Sequence, residues 1–299
     1  MLLLVGGTGT LGGRVAARLA ADSVPFRVLV REGSDAVPLQ ALGAEVARGD
    51  LRDPASLARA LAGVRTVVTT ANAMARNLSG DRSISIDDVD QAGNANLVAA
   101  ATEAGVDRFV FVSIHRSALQ ADTPFTRAKR ATEAALADAP FRTVIVRPAA
   151  FMEVWLSPMV GVDLPHDAVR IFGEGHARHP MVAVDDCAAA IVRLATMDDP
   201  PAEAVLTGPD AVSSQEIAEL WGTLTGRPVR VRHVPRAALV VGNTVLRPFR
   251  PALSSTMGLA LHDDRTEVAA SPETMRQLGV EPRSIRAYLA AIAGGAPAG

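Results

Sequence analysis

Apolar residues in the first half of the chain fall in short runs, separated by longer segments in which they recur with the period of a helix. This alternation is typical of successive βαβ units that build a parallel sheet. The predicted strands are Leu2–Val5, Arg27–Val30, Glu45–Ala47, Thr66–Thr69, Arg108–Val112 and Thr143–Val146. The predicted helices begin near Leu11, Pro54, Asp87 and Thr126. Residues 1–150 are therefore expected to form an α/β domain with a doubly wound parallel sheet.

The pattern changes after Pro148, where loops rich in Pro, Gly, His and Met separate shorter elements. Strands are predicted at Val169–Phe172, Pro180–Val184, Ala204–Leu206 and Val229–His233, and helices from Asp185 and Ser213. Residues 151–299 are expected to form a smaller α+β region packed on the carboxyl edge of the sheet, where open α/β sheets bind ligands.

The charge and composition of the chain limit the kinds of molecule that it is expected to bind. The 299 residues carry a formal net charge of −2, so no bulk attraction to nucleic acid or to an anionic membrane is expected. No apolar stretch approaches the roughly 20 residues that a membrane-spanning helix needs. The single cysteine, Cys187, fits a reducing compartment. These features predict a cytoplasmic monomer or homodimer that binds a small molecule.

A glycine-rich turn carries the strongest functional signal. Gly6, Gly9 and Gly12 directly follow the first predicted strand and open the first helix. In this context such a pattern is the fingerprint of a dinucleotide-binding turn, in which the backbone approaches a pyrophosphate and the helix N-terminus stabilises its charge. The predicted pyrophosphate-binding residues are Gly6, Thr8, Gly9, Thr10, Leu11 and Gly12.

The ends of the next strands predict which dinucleotide binds. An NAD-selective site offers a carboxylate to the ribose hydroxyl after the second strand, but this chain has Arg31 there, which favours the 2′-phosphate of NADP. NADP is therefore expected, with NAD as the alternative. Asp50 and Leu51 are assigned to the adenine. The residues assigned to the ribose and nicotinamide are Thr70, Ala71 and Asn72.

Several separate stretches resemble one family. They are VGGTGTLGG, VLVR, GDLRDPASLARAL, AATEAGVDRFVFVS, RAKRATEAAL, VIVRP and PMVAVDDCAAAI. Together they resemble the short-chain dehydrogenase/reductase superfamily, in its atypical NmrA-like or isoflavone-reductase-like branch, over nearly the whole chain. The resemblance implies a Rossmann domain carrying NAD(P), and either NADPH-dependent reduction or redox sensing without turnover.

The superfamily's catalytic pattern is only partly present. Ser113 and Lys129 match the serine and lysine of that pattern, but Phe125 stands where the family's proton-donating tyrosine is expected. The candidates for proton transfer are Lys129, Ser113 and His115, since imidazole titrates near neutral pH. Ser113, Lys129 and Pro148 are also assigned to the cofactor.

An apolar segment follows Pro148. Its residues Phe151, Met152 and Trp155, together with Phe125, are candidates for a substrate pocket, although the segment fits packing between the two regions equally well. His176 and His179 have a spacing suited to a metal but no third ligand, so no metal site is expected.

Two hypotheses follow for the function. The first is an NADPH-dependent oxidoreductase that reduces an apolar, aromatic, enone or quinone-like small molecule. The second is an NADP(H) redox sensor that regulates a protein partner without chemistry.

Overall fold

A seven-stranded sheet forms the centre of the fold in the computed structural model, which describes residues 1–81 and 83–295. Its strand order is β11-β6-β5-β4-β1-β2-β3, and the six strands from β6 to β3 pair in parallel. The bounds are β1 Leu2–Val5, β2 Phe26–Val30, β3 Glu45–Arg48, β4 Thr66–Thr69, β5 Arg108–Val112, β6 Arg142–Pro148 and β11 Glu203–Leu206. The predicted doubly wound Rossmann α/β fold is confirmed.

Helices connect these strands. Their bounds are α1 Thr10–Ala21, α2 Val37–Ala41, α3 Pro54–Leu61, α4 Met74–Leu78, α5 Asn94–Ala104, α6 Pro124–Ala137 and α8 Val184–Thr196. Asp53 caps α3 by accepting a hydrogen bond from the Ala55 amide, and Pro54 stands at the first helical position. Gly105 ends α5 in the left-handed conformation that favours glycine.

One predicted helix has an unusual start. The segment from Asp87 is helical, but Asp87–Gly93 winds as a π-helix before α5 continues as an ordinary α-helix. A π-turn widens the helix, breaks the regular side-chain spacing and is often found at functional sites. The turn places Asp90 in the interior with 0% exposure.

The chain divides into two compact units. Unit 1 consists of residues 1–114, 127–147 and 187–204 and contains most of the seven-stranded sheet. Unit 2 consists of residues 115–126, 148–186 and 205–295, as far as the chain is described. The chain therefore passes between the two units five times. The function predicted for residues 151–299 stays a prediction, and the last four of those residues lie outside the described part.

Unit 2 has two small three-stranded sheets, β12-β10-β7 and β13-β9-β8. Their strands are β7 Ala150–Phe151, β8 Val162–Asp163, β9 Ala168–Phe172, β10 His179–Val182, β12 Ala211–Val212 and β13 Arg230–Val234. The helices are α7 Met152–Trp155, α9 Ser214–Thr225, α10 Arg236–Val245, α11 Pro251–Asp263, α12 Glu273–Gln277 and α13 Ile285–Ala293. One apolar cluster that contains Met152, Trp221 and Leu289 forms the core of this unit.

The helices after β13 were not predicted from the sequence. Gly242 interrupts the apolar run of α10, yet α10 packs closely against α11, and Gly242 lies where a Cβ atom would stand 2.0 Å from the Met257 sulfur. Within residues 1–81 and 83–295, no helix has the length and apolar character needed to cross a membrane.

Candidate functional site

The glycine turn lies where the strand order of the sheet reverses. β1 is flanked by β2 on one side and by β4 on the other, so the connections on its two sides leave the sheet in opposite directions. The carboxyl ends of strands next to such a reversal form a crevice in which doubly wound proteins bind ligands. Residues 6–12 leave β1 at this point and lead directly into α1.

Two glycines of the turn are required by close packing. Gly6 has a φ of +92°, and a Cβ atom there would stand 2.7 Å from the Thr70 hydroxyl. A Cβ atom on Gly12 would stand 2.1 Å from the Gly6 carbonyl oxygen. Both contacts bring the turn close to the sheet and to the start of α1, which is the role expected of these glycines.

Gly9 has a different environment. A Cβ atom on it would meet one described atom within 4 Å, the Gly6 carbonyl oxygen at 3.3 Å. Gly9 is the N-cap of α1, and no described side chain caps that helix. Thr8, Gly9 and Thr10 are exposed. An open glycine before an uncapped helix N-terminus fits a pyrophosphate, whose oxygens accept hydrogen bonds from the first-turn amides.

The ends of β2 and β3 place two arginines together. Arg31 directly follows β2 and is partly exposed. Arg48 is the last residue of β3, and its guanidinium donates to the carbonyl oxygens of Arg31 at 3.1 Å and Ser34 at 2.9 Å. Arg48 therefore fixes the loop that carries Arg31. The two cations make this corner suited to a phosphate group.

The two residues predicted to face adenine lie after β3. The Asp50 carboxylate accepts two side-chain hydrogen bonds from Arg52, at 2.9 and 2.8 Å. The hydrogen bond from Arg52 is the main reason that the pKa of Asp50 lies below its usual value. Leu51 is buried, and its carbonyl oxygen accepts a hydrogen bond from Asn96. Asp50 remains ionised and bound to Arg52, and its role toward adenine stays a prediction.

Thr70, Ala71 and Asn72 lie on the other side of the glycine turn. The Thr70 hydroxyl lies 3.3 Å from the Val5 carbonyl oxygen, so it holds the end of β4 against the end of β1. Asn72 is exposed, and its side-chain oxygen accepts a hydrogen bond from the Met74 amide at 3.1 Å. The segment is thus an ordered edge of the crevice beside residues 6–12.

A buried ionic network surrounds Ser113 at the end of β5. The Ser113 hydroxyl donates a short hydrogen bond to the Glu133 carboxylate. Arg147 donates two hydrogen bonds of 2.8 Å to the two oxygens of Glu133 and a third, of 2.7 Å, to Glu203. The Arg147 side chain is only 6% exposed, so two carboxylates balance its charge away from water.

Lys129 lies beside this network. Its ammonium donates to the Val112 carbonyl oxygen at 2.9 Å and stands 4.8 Å from the centre of the Phe111 ring. The side chain is buried, and desolvation lowers its pKa, while the charges of Asp90 and Glu133 act in the opposite direction. Ser113 and Lys129, predicted as one site, thus both lie at the end of β5.

His115, Pro148 and Phe125 belong to unit 2. The His115 ring nitrogen Nδ1 accepts a hydrogen bond from the Ser117 amide at 3.3 Å, and the His115 amide donates to the Pro148 carbonyl oxygen at 3.0 Å. Phe125 is buried, and its amide donates to the Ser255 hydroxyl at 3.2 Å. These contacts fix the positions of the three residues within their unit, and their predicted roles stay predictions.

The apolar segment after Pro148 divides into core and cavity. Met152 is fully buried in the core of unit 2, and Phe151 pairs with Val182 between β7 and β10. Trp155 lines a cavity of about 110 Å³, together with Phe172, Met181 and Ile217. His179 and Asp263 add polar groups to its wall.

The polar side of this cavity is ordered. His179 Nε2 lies 2.7 Å from the Asp263 carbonyl oxygen. Burial raises the pKa of the Asp263 carboxyl, against the opposing charges of His179 and His262. Among the residues that the structure describes, no group of three His, Cys, Asp or Glu side chains is arranged to hold a metal ion.

Sequence reasoning missed four charged residues of the candidate site, namely Glu133, Arg147, Asp90 and Arg48. Glu133 lies four residues after Lys129, so helical spacing signals that both occupy one face of α6. Arg147 and Arg48 lie at or next to the carboxyl ends of β6 and β3, where a charged residue at the edge of the sheet is a signal. Asp90 had no such signal, because its burial depends on the π-turn.

The parallel sheet and the glycine turn at the strand reversal define a Rossmann-type α/β protein. The NmrA-like family matches residues 1–266, and the chain belongs to that family.

Two proteins of similar sequence have names that point to different functions. The chain is 31% identical over 231 residues to the NAD(P)H azoreductase of Xenophilus azovorans, covering 77% of this chain and 76% of that protein. It is 28% identical over 300 residues to the photosystem II assembly factor Ycf39 of Synechocystis sp., covering 96% of this chain and 89% of that protein.

One structural neighbour is the NADPH-dependent quinone oxidoreductase QOR2 of Escherichia coli, solved in complex with NADPH. It superimposes with a TM-score of 0.76 at 20% identity, over 98% of this chain and 99% of that chain. The cofactor in that complex agrees with the one that the sequence predicts.

Proposed function

We propose that the protein is an NADPH-dependent reductase of an apolar, aromatic, enone or quinone-like small molecule. The observation that carries the proposal is the open, uncapped glycine turn at the strand reversal, in the same unit as the buried Lys129. The azoreductase and quinone oxidoreductase named among the similar proteins add support for reduction.

Unit 1 contains the residues that we assign to cofactor binding. Residues 6–12 bind the pyrophosphate through backbone amides, and Arg31, on the loop that Arg48 fixes, binds the 2′-phosphate. Thr70 to Asn72 border the ribose and nicotinamide, while Lys129 donates a hydrogen bond to that ribose. The bound cofactor supplies the hydride.

The side chains near β5 have different roles in the proposed reduction. Because the Ser113 hydroxyl donates to Glu133, Ser113 orients groups in the site rather than protonating the product. Lys129 holds a proton at Nζ that it can release, and His115 is the alternative donor. The cavity lined by Trp155 favours an apolar substrate, with His179 and Asp263 available for a single polar group.

Turnover tests this function. Purified protein with NADPH is expected to reduce members of a panel of quinones, azo dyes and enones, followed by the loss of nicotinamide absorbance. Lys129→Met is expected to abolish turnover and weaken NADPH binding. Tight binding of NADPH without reduction of any member of the panel would contradict the reductase.

A second candidate, an NADP(H) sensor without chemistry, is favoured by the residue at one position of α6. The position four residues before Lys129 in α6 holds Phe125, which lacks a hydroxyl group. The similarity to the photosystem II assembly factor also fits a role toward a protein partner. Phe125→Tyr separates the two candidates, because restoring the phenol is expected to create or raise carbonyl reduction in a reductase and to do nothing in a sensor.

A further inference from the structure

One acidic side chain on the wall of the cavity in unit 2 has no partner. Asp263 is the last residue of α11, and its backbone carbonyl oxygen accepts the hydrogen bond from His179 Nε2 at 2.7 Å. Its carboxylate makes no hydrogen bond or ion pair with any of the residues 1–81 and 83–295. An unpaired charge beside apolar walls is costly, so the group loses its charge or gains a counter-charge. Burial accordingly raises the pKa of Asp263.

The next residue, Asp264, shows the opposite arrangement. Its Oδ1 accepts the amides of Glu174 and Gly175 at 2.8 and 2.9 Å, and Arg236 donates to its Oδ2. The protein itself therefore balances the charge of Asp264, whose side chain is 1% exposed. Of these two neighbouring acids, Asp263 alone presents a carboxylate to the cavity that is available to a ligand.

The basic groups around the cavity do not balance Asp263. His179 Nε2 must carry a proton, because its partner is a carbonyl oxygen that can only accept. His262 Nε2 lies 3.1 Å from the Ser117 hydroxyl. Arg170 also lines the cavity, but it is exposed, so water solvates its charge. The wall thus offers an acidic group without a counter-charge.

The rest of the wall is largely apolar. Trp155 and Phe172 contribute aromatic rings, whose faces attract cations, and Met181 and Ile217 contribute apolar side chains. The cavity measures about 110 Å³. A cavity of roughly 150 Å³ is large enough to hold benzene, so this one limits the ligand to about one ring or a short branched chain.

The chemistry of this wall selects among the possible ligands. A neutral hydroxyl group would satisfy the acceptor but would leave the negative charge unbalanced, and an anion would be repelled. A metal ion needs more ligands, and no group of three His, Cys, Asp or Glu side chains is arranged to hold one in the part of the chain that the structure describes. An organic cation with N–H donors meets both the charge and the apolar walls.

We propose that this cavity binds a primary ammonium group carried on an apolar body about one ring in size, and that Asp263 is the residue that selects it. The ammonium donates to the Asp263 carboxylate, and the apolar body contacts Trp155 and Phe172. The inference rests on the proposed function, which assigns this cavity to the substrate, and it adds a positive charge to that substrate.

Benzylamine and benzyl alcohol are a matched pair of probes, because they have nearly the same shape and differ in charge. At about pH 7.5 the amine is protonated, as ordinary alkylamines are. Each probe is titrated into cofactor-free, ¹⁵N-labelled protein, and binding is followed by NMR through the indole N–H resonances of the two tryptophans. We expect benzylamine to bind at least about tenfold more tightly than benzyl alcohol, because its hydrogen bond joins two charged groups.

The two tryptophans also locate the bound probe. Trp155 lines the cavity, whereas Trp221 lies in the core of unit 2 and donates to Asp167 at 2.9 Å. Trp155→Phe identifies the resonance of Trp155. Benzylamine is expected to shift that resonance more than the resonance of Trp221. The reverse order would place the amine elsewhere and overturn the proposal.

Asp263→Asn is expected to lower the affinity for benzylamine about tenfold. Its affinity for benzyl alcohol should be nearly unchanged, because asparagine keeps an acceptor oxygen. Asp210→Asn is the matched control, since it removes an exposed carboxylate that does not line the cavity, and both affinities should be retained. Equal benzylamine affinity in the wild-type protein and in Asp263→Asn overturns the proposal. So does equal affinity of the wild-type protein for the two probes, a result that does not depend on how the variant folds.

The binding test separates this inference from the proposed function, because it needs neither cofactor nor turnover. Selective binding of benzylamine by a protein that reduces no member of the panel supports the ammonium site and contradicts only the reductase. The cavity then serves a ligand that is not reduced. An active reductase that binds neither probe, or both equally, overturns the inference and leaves the reductase standing.

Discussion

The glycine turn after β1 and the ionic network around Ser113 both lie in unit 1 at the carboxyl ends of its strands, yet they are built in opposite ways. The turn consists of backbone, and its glycines keep side chains out of the space. The network consists of charged side chains that displace water from the interior. A substitution in the turn can therefore change packing alone or ligand binding alone, depending on which glycine is replaced, whereas a substitution in the network changes stability together with the site. Four substitutions test this difference.

The largest effect is expected from Gly12→Ala. The added Cβ atom would stand 2.1 Å from the Gly6 carbonyl oxygen and 2.6 Å from its carbon, and neither backbone atom can move without displacing α1 or β1. We expect a loss of about 3 kcal/mol in the free energy of unfolding, measured by urea denaturation. Gly13→Ala is the control, because its nearest contact is an ordinary 3.6 Å. Equal stability of the two variants would contradict this account of the turn.

Gly9→Ala is expected to weaken NADPH binding without changing the stability of the protein. The methyl group meets the Gly6 carbonyl oxygen at 3.3 Å and no other described atom within 4 Å, so under the proposed function it would crowd the pyrophosphate. Each hydrogen bond to a charged group is worth about 1.5–3 kcal/mol, so losing one or two lowers NADPH affinity about a hundredfold. Calorimetric titration measures the affinity, and thermal unfolding checks that stability is retained. Undiminished binding would place the pyrophosphate elsewhere.

Glu133→Gln tests the ionic network. It leaves the buried Arg147 with Glu203 as its remaining carboxylate partner among the described residues. Removing one partner of a buried ion pair typically lowers the free energy of unfolding by about 3–5 kcal/mol. Because Glu203 remains, we expect a loss of about 2 kcal/mol for Glu133→Gln, measured by urea denaturation. Glu45→Gln is the control, since Glu45 pairs with Arg27 at an exposed position where such pairs contribute about 0–1 kcal/mol. If the network contributed no more than a surface ion pair, Glu133→Gln and Glu45→Gln would give the same small change in the free energy of unfolding.

The smallest effect is expected from Arg31→Ala. Losing one charged contact to the 2′-phosphate weakens NADPH binding about tenfold and leaves NADH binding unchanged. The comparison of the two affinities by nicotinamide fluorescence measures this selectivity. Arg18→Ala removes the same charge from an exposed position near the end of α1 and should alter neither affinity. Parallel losses for NADPH and NADH would remove Arg31 from the phosphate site.

The sheet and the glycine turn could be predicted from the sequence because local signals determine them. The central strands of the sheet are short and mostly apolar, and Asp53, Pro54 and Gly105 mark helix ends by chemistry that depends on near neighbours. The network could not be predicted in the same way. Arg147 meets Glu203 across 56 positions of sequence, and nothing near either residue specifies the other.

Two further features of the candidate site depend on tertiary structure. The interior position of Asp90 follows from a π-turn, which breaks the regular spacing on which helical patterns rely. The apolar segment after Pro148 was open to two interpretations because apolar character alone does not distinguish core from pocket. Met152 lies in the core and Trp155 lines the cavity, although one helical turn separates them.

The five passages of the chain between the two units also bear on how the protein is made. On the ribosome, β6 emerges well before β11, because residues 148–186 of unit 2 are synthesised between two parts of unit 1. Until Glu203 emerges, the nascent sheet ends at β6, and Arg147 lacks one of its two carboxylates. An unpaired strand edge is a site of misassociation during synthesis. Completion of β11 therefore covers the edge of β6 and supplies the second carboxylate of Arg147 at the same time.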